Sequence, residues 1–290
     1  MRARTKAAVY MVLSAFAFAV MGGFVKLAPA VSLADKVAVR NLVTLFIAAV
    51  LVVRRRCPLL GQRRNRIALL ARSLLGIGGV VCYFYAIDHL LLANATMLTR
   101  LSPFFAGVFA ALFLREPLSR RLLLAMAVGL AGGMCVLKPR LDLDLMPALV
   151  GFGSAVFAGA AYAVLRYLGN REPPETIVLH FSLCSVLCML PFVLVDLRRP
   201  SPRELGWLLG IGVTAALGQL LLTAAYRHAP TAEVSVYGDS MILFAAVIGL
   251  LFWGEVPDTL SLLGGALIMA GGVTAFLSPS ASAPPTASAD

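Results

Sequence analysis

The sequence predicts an all-α polytopic membrane protein in which ten transmembrane helices form two inverted five-helix repeats. Three observations lead to this prediction. Hydrophobic residues make up 60% of the 290 residues and charged residues only 13%, which is more apolar surface than a soluble domain of this length can bury. The apolar residues are grouped into ten stretches, each long enough to cross a bilayer. The second half of the chain also repeats part of the first.

Each predicted span contains about 20 mostly apolar residues, the length needed to cross a hydrocarbon core roughly 30 Å thick. The first span follows a basic segment and resembles a secretory signal, but its apolar run is long and nine further spans follow it. We therefore expect it to be retained as a helix. The spans begin near Val9, Lys36, Ile67, Leu92, Leu122, Met146, Thr176, Leu205, Thr231 and Leu260.

The basic residues are distributed unequally between the two sets of loops. If the amino terminus is cytoplasmic, fifteen Lys and Arg residues fall on the cytoplasmic side and seven on the opposite side. Cytoplasmic loops are enriched in positive charge, so both termini are expected in the cytoplasm, with the protein in a bacterial inner membrane. The net charge of +11 is then a feature of membrane topology, and no nucleic-acid partner is expected.

The internal repeat becomes visible when the chain is shifted by 139 residues onto itself. Ala86–Pro139 then aligns without gaps with Ala225–Ser278, and 15 of the 54 positions are identical. The matched residues include His89 with His228, Glu116 with Glu255, and the glycine pairs at 132–133 and 271–272.

Five spans per half is an odd number, so the second half must enter the membrane in the opposite orientation. The charges agree, because "ALFLREPLSRR" carries three arginines and its counterpart "LLFWGEVPDTL" carries none. We predict a first five-helix repeat at residues 1–140, a second at 141–277, and a disordered cytoplasmic tail at 278–290.

Arg100 is the only charged residue within residues 93–114, and the repeat matches it with Asp239. A charge at a helix centre costs about 2.5–3.5 kcal/mol on insertion scales, so both side chains should face protein or water. Thr96 and Ser235 each lie four residues earlier, on the same helical face. Each charge is about eight residues, or about 12 Å, into its span from opposite membrane faces. That leaves about 6 Å between their levels in a 30 Å core, a separation an arginine side chain can bridge.

Two roles remain open for this pair. In one, Arg100 and Asp239 form a buried bridge that holds the two halves together. In the other, Arg100 binds a carboxylate or phosphate of a solute, while Asp239 binds an amine or a coupling proton. Intramembrane charges are functional by default, which favours the second role, and a substrate that breaks the bridge would combine both.

Polar and aromatic residues on two other helices are candidates for a cavity wall that stacks on a flat solute. Interhelical packing explains them equally well. The candidates are Gln219, Thr223 and Tyr226 on the eighth span and Tyr83 and Tyr85 on the third.

Four further residues are expected to have structural rather than binding roles. Arg40 and Asn41, early in the second span, should snorkel towards the interface. Glu116 and Glu255 end their helices just before prolines, which favours a hairpin-shaping role over proton transport. The five cysteines suggest no disulfide framework, and neither a metal nor a cofactor is expected.

Several segments resemble the ten-helix, EamA-type branch of the drug/metabolite transporter superfamily, and the resemblance covers nearly the whole chain up to the tail. The most specific feature is the paired "E-P" and "GE-V-P" hairpin, each followed by a glycine-rich helix. The resemblance implies secondary transport of small organic solutes through a central cavity. It leaves the substrate open, because members carry amino acids, nucleotide-like metabolites, vitamins, polyamines and drugs. The matching segments are "FVKLAP", "VAVRNLVTLF", "ANATMLTRLSPFFAGVFAALFLREPLSRRLLLAMAVGLAGG" and "FAAVIGLLFWGEVPDTLSLLGGALIMAGGV".

The sequence therefore favours a permease that moves a small metabolite by alternating access. A zwitterionic or anionic compound with an aromatic ring, such as an amino acid or a nucleoside- or flavin-like compound, fits the charges and tyrosines best. The sequence does not support an ATP-driven pump, because the phosphate-binding motif GxxxxGK[ST] does not occur in it. It does not support an intramembrane enzyme either, because it contains neither the zinc-binding motif HExxH nor a converging set of acid and base residues. A non-transporting receptor or assembly protein remains the alternative. The expected partners are a small-molecule substrate, the lipid bilayer and a coupling proton.

Overall fold

A computed structural model describes residues 3–59, 61–114, 120–138, 145–169, 171–195, 200–228 and 237–276. Within these ranges every regular element is a helix, which confirms the all-α prediction. A short 3₁₀ turn at Arg63–Asn65 precedes the third helix. The α-helices are α1 (Ala3–Leu27), α2 (Leu33–Arg55), α3 (Arg66–His89), α4 (Leu92–Thr99), α5 (Ser102–Leu114), α6 (Arg120–Leu137), α7 (Met146–Leu168), α8 (Pro174–Val195), α9 (Pro202–His228), α10 (Ser240–Trp253) and α11 (Thr259–Phe276).

Seven segments of the described chain are long and apolar enough to cross a membrane. They correspond to the first four and the sixth to eighth predicted spans. Shorter apolar helices at Leu123–Leu137, Ser240–Trp253 and Thr259–Thr274 lie where the fifth, ninth and tenth spans are predicted. Thr231, where the ninth was expected to begin, lies outside the described residues, as does the tail at 278–290.

Large apolar side chains cover the outside of the helix bundle. Phe46 is 71% exposed, Ile67 84%, Phe113 75% and Val195 88%. Such a surface would aggregate in water but is well solvated by lipid tails. Together with the seven long apolar segments, it identifies an integral membrane protein.

Local sequence signals set several helix ends. At the start of α9, Glu204 N donates to Ser201 Oγ at 3.3 Å and Ser201 N donates to Glu204 Oε2 at 2.7 Å. This reciprocal capping box satisfies two backbone donors that the first turn leaves free. At the end of α10, Gly254 adopts the left-handed conformation with φ of 64°, which a residue without a Cβ adopts at low cost.

The bundle is built from pairs of helices that pack along their length: α1 with α9, α3 with α7, α2 with α8, and α6 with α11. The α6–α11 contact depends on small residues, because a Cβ on Gly132 would lie 2.6 Å from the carbonyl oxygen of Gly264. Without Cβ atoms the two backbones approach closely, as is common in membrane helix pairs.

The bundle has two ends. The N-terminal end is the one where α1 begins, and the far end is the one where α1 finishes.

Candidate functional site

Arg100 lies at a break between two helices. The sequence predicted one continuous span, but α4 ends at Thr99 and α5 begins at Ser102. Pro103 explains the break, since it lacks the N–H that would donate to Thr99 and its ring crowds that carbonyl group. The chain tightens there instead, with Phe104 N donating to the Leu101 carbonyl oxygen at 3.1 Å.

Asp239 also lies at a helix boundary, directly before α10, and Ile242 N donates to its carbonyl oxygen at 3.0 Å. The two residues that the repeat matches therefore both lie where regular helix is interrupted. In transporters, discontinuous membrane helices provide the backbone and side-chain groups that bind substrates and ions.

The Arg100 guanidinium is held by weak partners. Its Nη2 donates to Met241 Sδ at 2.8 Å, and its Nε has no hydrogen-bond partner although it is buried. A Cβ built on Gly238 would lie 3.1 Å from Nη1, so the glycine makes room for the charged group. A thioether is a poor acceptor, and the binding capacity of this cation is therefore largely unused.

Asp239 is 8% exposed and packs against α11. Its Oδ2 lies 2.5 Å from where a Cβ on Gly272 would be. The structure shows no ion pair within 4.0 Å between Asp239 and any described basic group. Arg100 nevertheless attracts it electrostatically. In this conformation the two charges are neighbours without a direct bridge, because Arg100 Nη1 lies against Gly238, the residue before Asp239.

Thr96 and Tyr83 extend this group by one helical turn. The Thr96 Oγ1 donates to the Leu92 carbonyl oxygen at 2.8 Å, and the Tyr83 hydroxyl lies 3.2 Å from Thr96 Oγ1. Since the threonine proton is used by Leu92, the tyrosine donates to the threonine. Both side chains are buried, so the structure brings Tyr83, Thr96, Arg100 and Asp239 into one region.

No contact that the structure describes places the other predicted site residues in this group. Tyr85 lies near the end of α3, where its ring stacks on His89 with centroids 4.2 Å apart. Gln219 is half-buried on α9. The side chains of Thr223 and Tyr226 on α9, and the whole of Ser235, lie outside the described part of the chain.

Arg40 does not snorkel, and that prediction is wrong. Only 9% of it is exposed, and its Nη1 donates to Asn41 Oδ1 at 2.9 Å. Asn41 Nδ2 in turn donates to the Val37 carbonyl oxygen at 2.9 Å and to Ser185 Oγ at 2.8 Å. The polar partner Ser185 on α8 thus holds Asn41, and with it Arg40, in the interior of the bundle.

Arg72 is a residue that the sequence interpretation left without a role. Its Cζ lies 4.4 Å from the centroid of Phe181, and the Cζ of Arg40 lies 5.8 Å from the same centroid. The Nε atoms of both arginines and Nη1 of Arg72 are buried without partners. One signal was available: Arg72 is an isolated charge in the apolar segment "IALLARSLLGIGG".

Ion pairs join helix ends at the far end of the bundle. Lys26 pairs with Glu255, whose Oε2 also accepts from Leu92 N at 2.8 Å. Glu255 thus fastens α10 to α1 and to the start of α4, which agrees with the predicted hairpin-shaping role. Glu116, its repeat counterpart, lies outside the described residues.

Two further pairs lie at the same end. Lys36 Nζ is 2.7 Å from both carboxylate oxygens of Asp88. Lys138 donates to Asp258, which also accepts from Ser261 N at 2.9 Å as the cap of α11. These donors lower the pKa of the exposed Asp258 carboxyl group to about 2, because they stabilise its charged form.

An open groove of about 320 Å³ lies on the outside of the bundle, between α1 and α9. Its lining is almost entirely apolar, with Thr214 as the one hydroxyl-bearing residue. A surface of this chemistry suits lipid tails and offers no group that recognises a charged solute. It is separate from the site around Arg100.

Comparisons with known proteins support a transport function. The chain is 38% identical to the pseudopaline exporter of Pseudomonas aeruginosa over 89% of this chain and 91% of the exporter. It is 28% identical to the riboflavin transporter of Vibrio cholerae over 69% of this chain and 68% of that protein. A solved crystal structure matches with a TM-score of 0.61 at 17% identity, covering 95% of this chain and 97% of the other, which shows a shared fold.

The family assignment rests on two segments that together span most of the chain. Residues 5–138 and 145–277 each match the EamA-like transporter family. The named relatives are transporters, in agreement with the prediction that the chain is not an enzyme. The protein is a member of the EamA-like transporter family.

Proposed function

We propose that the protein is a secondary transporter that exports a small zwitterionic or anionic metabolite by alternating access. Arg100 and Asp239 form its binding site. The observation that carries this proposal is that a buried carboxylate, Asp239, and a partly buried guanidinium, Arg100, are neighbours at helix breaks without an ion pair between them. A purely structural bridge would be expected to close, because an unpaired charge in a low-dielectric interior costs roughly several kcal/mol.

Each group would then have its own chemical preference. A substrate carboxylate replaces the Met241 sulfur as the acceptor for Arg100, gaining a charge-assisted hydrogen bond that is about twice as strong as a neutral one. A substrate amine or a coupling proton neutralises Asp239. The Tyr83 ring, which lies beside Thr96, is the surface on which an aromatic ring of the solute stacks.

Alternating access requires two halves that move against each other, and the described helices support an arrangement of ten spans in two inverted repeats. When 139 is added to the residue numbers of the first half, the bounds of α6 (Arg120–Leu137) become those of α11 (Thr259–Phe276), and the last residue of α5 becomes the last residue of α10. The packing follows the same correspondence, in which α1 matches α7, α3 matches α9 and α5 matches α10. The contact between α1 and α9 has its counterpart in the contact between α7 and α3, and the contact between α5 and α7 in that between α10 and α1. The two repeats are residues 1–140 and 141–277, and they are related by a two-fold axis in the membrane plane.

Export is the proposed direction because the relative at 38% identity is named an exporter. The excess of basic residues in one set of loops supports a bacterial inner membrane with both termini in the cytoplasm. The solute then enters from the N-terminal end of the bundle and leaves at the far end.

Flux into proteoliposomes tests the proposal. Purified protein is reconstituted with and without a proton gradient, and labelled amino acids, riboflavin and pseudopaline are offered as probes. For any probe that moves, Arg100→Ala is expected to reduce flux by roughly 10- to 100-fold, the value of a hydrogen bond to a charged group. The variant remains folded, as measured by its elution volume and thermal midpoint.

Arg171→Ala is the matched control, since Arg171 is exposed at a helix end and its loss removes the same charge from the protein. Its flux should equal that of the unmodified protein. Unchanged flux through Arg100→Ala would refute the assigned site. Saturable binding of a probe without flux through the unmodified protein would instead favour the receptor alternative.

A further inference from the structure

Arg40 and Arg72 lie in a second polar region that Arg100 and Asp239 do not share. Arg40 is on α2, Arg72 is on α3, and both guanidinium groups face one ring, Phe181 of α8. Along α3, Arg72 is 11 residues from Tyr83, or about 16 Å at 1.5 Å per residue. The two regions are therefore separate places in the bundle.

Nothing in the described structure neutralises these two charges. No carboxylate of the described residues lies within 4.0 Å of either guanidinium group. Three of their N–H donors are buried without acceptors, namely the Nε atoms of both residues and Nη1 of Arg72. The Phe181 ring offsets part of the cost, but a cation–π contact contributes only about 2 kcal/mol when desolvated. Two like charges also repel each other, so the region is unfavourable as it stands.

A comparison that rests on the proposed repeat supports a ligand at these positions. Extending the 139-residue shift to α2 and α3 places Arg40 on Leu179 and Arg72 on Ile211, which are buried at 8% and 0% exposure. In the proposed repeat, α8 and α9 therefore pack with apolar residues where α2 and α3 carry arginines. The two charges are then a feature of the first half alone, and a ligand of opposite charge would neutralise them.

Gly76 preserves the space around the guanidinium of Arg72. A Cβ on this glycine would lie 2.7 Å from Arg72 Nη1 and 2.9 Å from Phe181 Cε2. Any larger residue one turn after Arg72 would therefore displace the cation from the ring. The glycine thus keeps Arg72 against the ring that Arg40 also faces, and the two guanidinium groups lie at one place in the bundle.

We propose that Arg40 and Arg72 form a second binding site, for an oxyanion, between α2, α3 and α8. Its ligand is a carboxylate of a small solute or the phosphate of a lipid headgroup, which offer the same oxygen acceptors to guanidinium donors. An anion bound here satisfies the free donors and removes the repulsion between the two cations.

Thermal unfolding of the full chain in lipid nanodiscs tests this site. In discs of neutral phosphatidylcholine, succinate is titrated against sodium chloride of equal ionic strength. Succinate is expected to raise the thermal midpoint saturably, and Arg72→Gln to weaken its apparent affinity by roughly 10- to 100-fold. A second arm replaces succinate with phosphatidylglycerol in the disc, and a stabilisation confined to that arm identifies the lipid phosphate as the ligand.

The double variant Arg40→Leu with Arg72→Ile removes both charges and introduces the apolar residue types found at positions 179 and 211 of the second half. It is expected to be at least as stable as the unmodified protein without anion, and to respond to neither anion. Arg171→Gln, which removes an exposed cation that neither proposed site uses, should respond as the unmodified protein does. A double variant less stable than the unmodified protein, or no stabilisation by either anion, would overturn the proposal.

Discussion

Replacing Gly272 by alanine probes the position of the Asp239 carboxylate without changing any charge. The new Cβ would lie 2.5 Å from Asp239 Oδ2, whereas ordinary contact begins at 3.4 Å. The oxygen must therefore retreat by about 0.9 Å, the difference between these two distances. Since the obstructing atom is the tip of a side chain and not backbone, the helices themselves need not separate.

The size of the effect follows from this displacement. A shift of about 1 Å in a positioned functional group costs on the order of 100-fold in rate, so we expect flux to fall by a factor of that order. Stability should change much less. Alanine favours the helix by roughly 1 kcal/mol, and overpacking costs roughly 1–3 kcal/mol, which leaves a net loss of about 0–2 kcal/mol.

Proteoliposome flux and the thermal midpoint are measured together on Gly272→Ala and on Gly153→Ala. The second variant is the control, because a Cβ on Gly153 meets no atom within 4 Å. Its flux should be unchanged and its stability equal or slightly higher. Normal flux through Gly272→Ala would refute the reasoning, since it would show that transport does not depend on where this carboxylate lies.

Three other substitutions test the fold and one surface charge. Gly132→Ala should destabilise the protein by about 1–3 kcal/mol, because the new Cβ would lie 2.6 Å from the backbone oxygen of Gly264. A thermal midpoint no lower than that of the unmodified protein would contradict this expectation. Ser201→Ala removes a helix cap and should cost about 0.5–2 kcal/mol in denaturant unfolding, and an unchanged midpoint would count against the cap. Lys138→Met should raise the Asp258 pKa from about 2 towards its usual 3.8, as followed by carboxyl NMR. Because the pKa is lowered in the folded state, the stabilisation is present above pH 3.8 and is lost as the pH falls through 2; an unmoved pKa would show that Lys138 is not its cause.

The helical class and the proximity of Arg100 to Asp239 could be predicted, because hydropathy and an ungapped repeat can be read directly from the sequence. The break at Arg100 also had a signal, Pro103, but its effect was not predicted, since proline near the start of a new helix looks the same as proline inside one. Whether the two charges touch depends on the tilt and rotation of four helices. A one-dimensional pattern does not contain that information.

The inward direction of Arg40 shows a second limit. Its position near a span boundary favours snorkelling, whereas in the fold Arg40 donates to Asn41, which in turn donates to Ser185 on α8. Arg72 was overlooked for the same reason, since its neighbour Phe181 is more than 100 residues away in the chain. Partners brought together by tertiary packing decide the direction of an amphipathic side chain, and single-sequence patterns do not reveal them.

In the proposed alternating-access cycle, the ion pairs between the two repeats make opening at the two ends energetically unequal. Among the described residues, Lys26–Glu255 and Lys138–Asp258 link the repeats at the far end and would have to separate or slide when that end opens. Lys36–Asp88 lies within the first repeat, and Arg55–Glu175 joins the repeats at the other end. Lys26–Glu255 is largely shielded from solvent, so mobile ions screen it only weakly. In that cycle we expect opening towards the far end to be the slower step, and rising ionic strength to accelerate turnover mainly through Lys138–Asp258, the more exposed of the two.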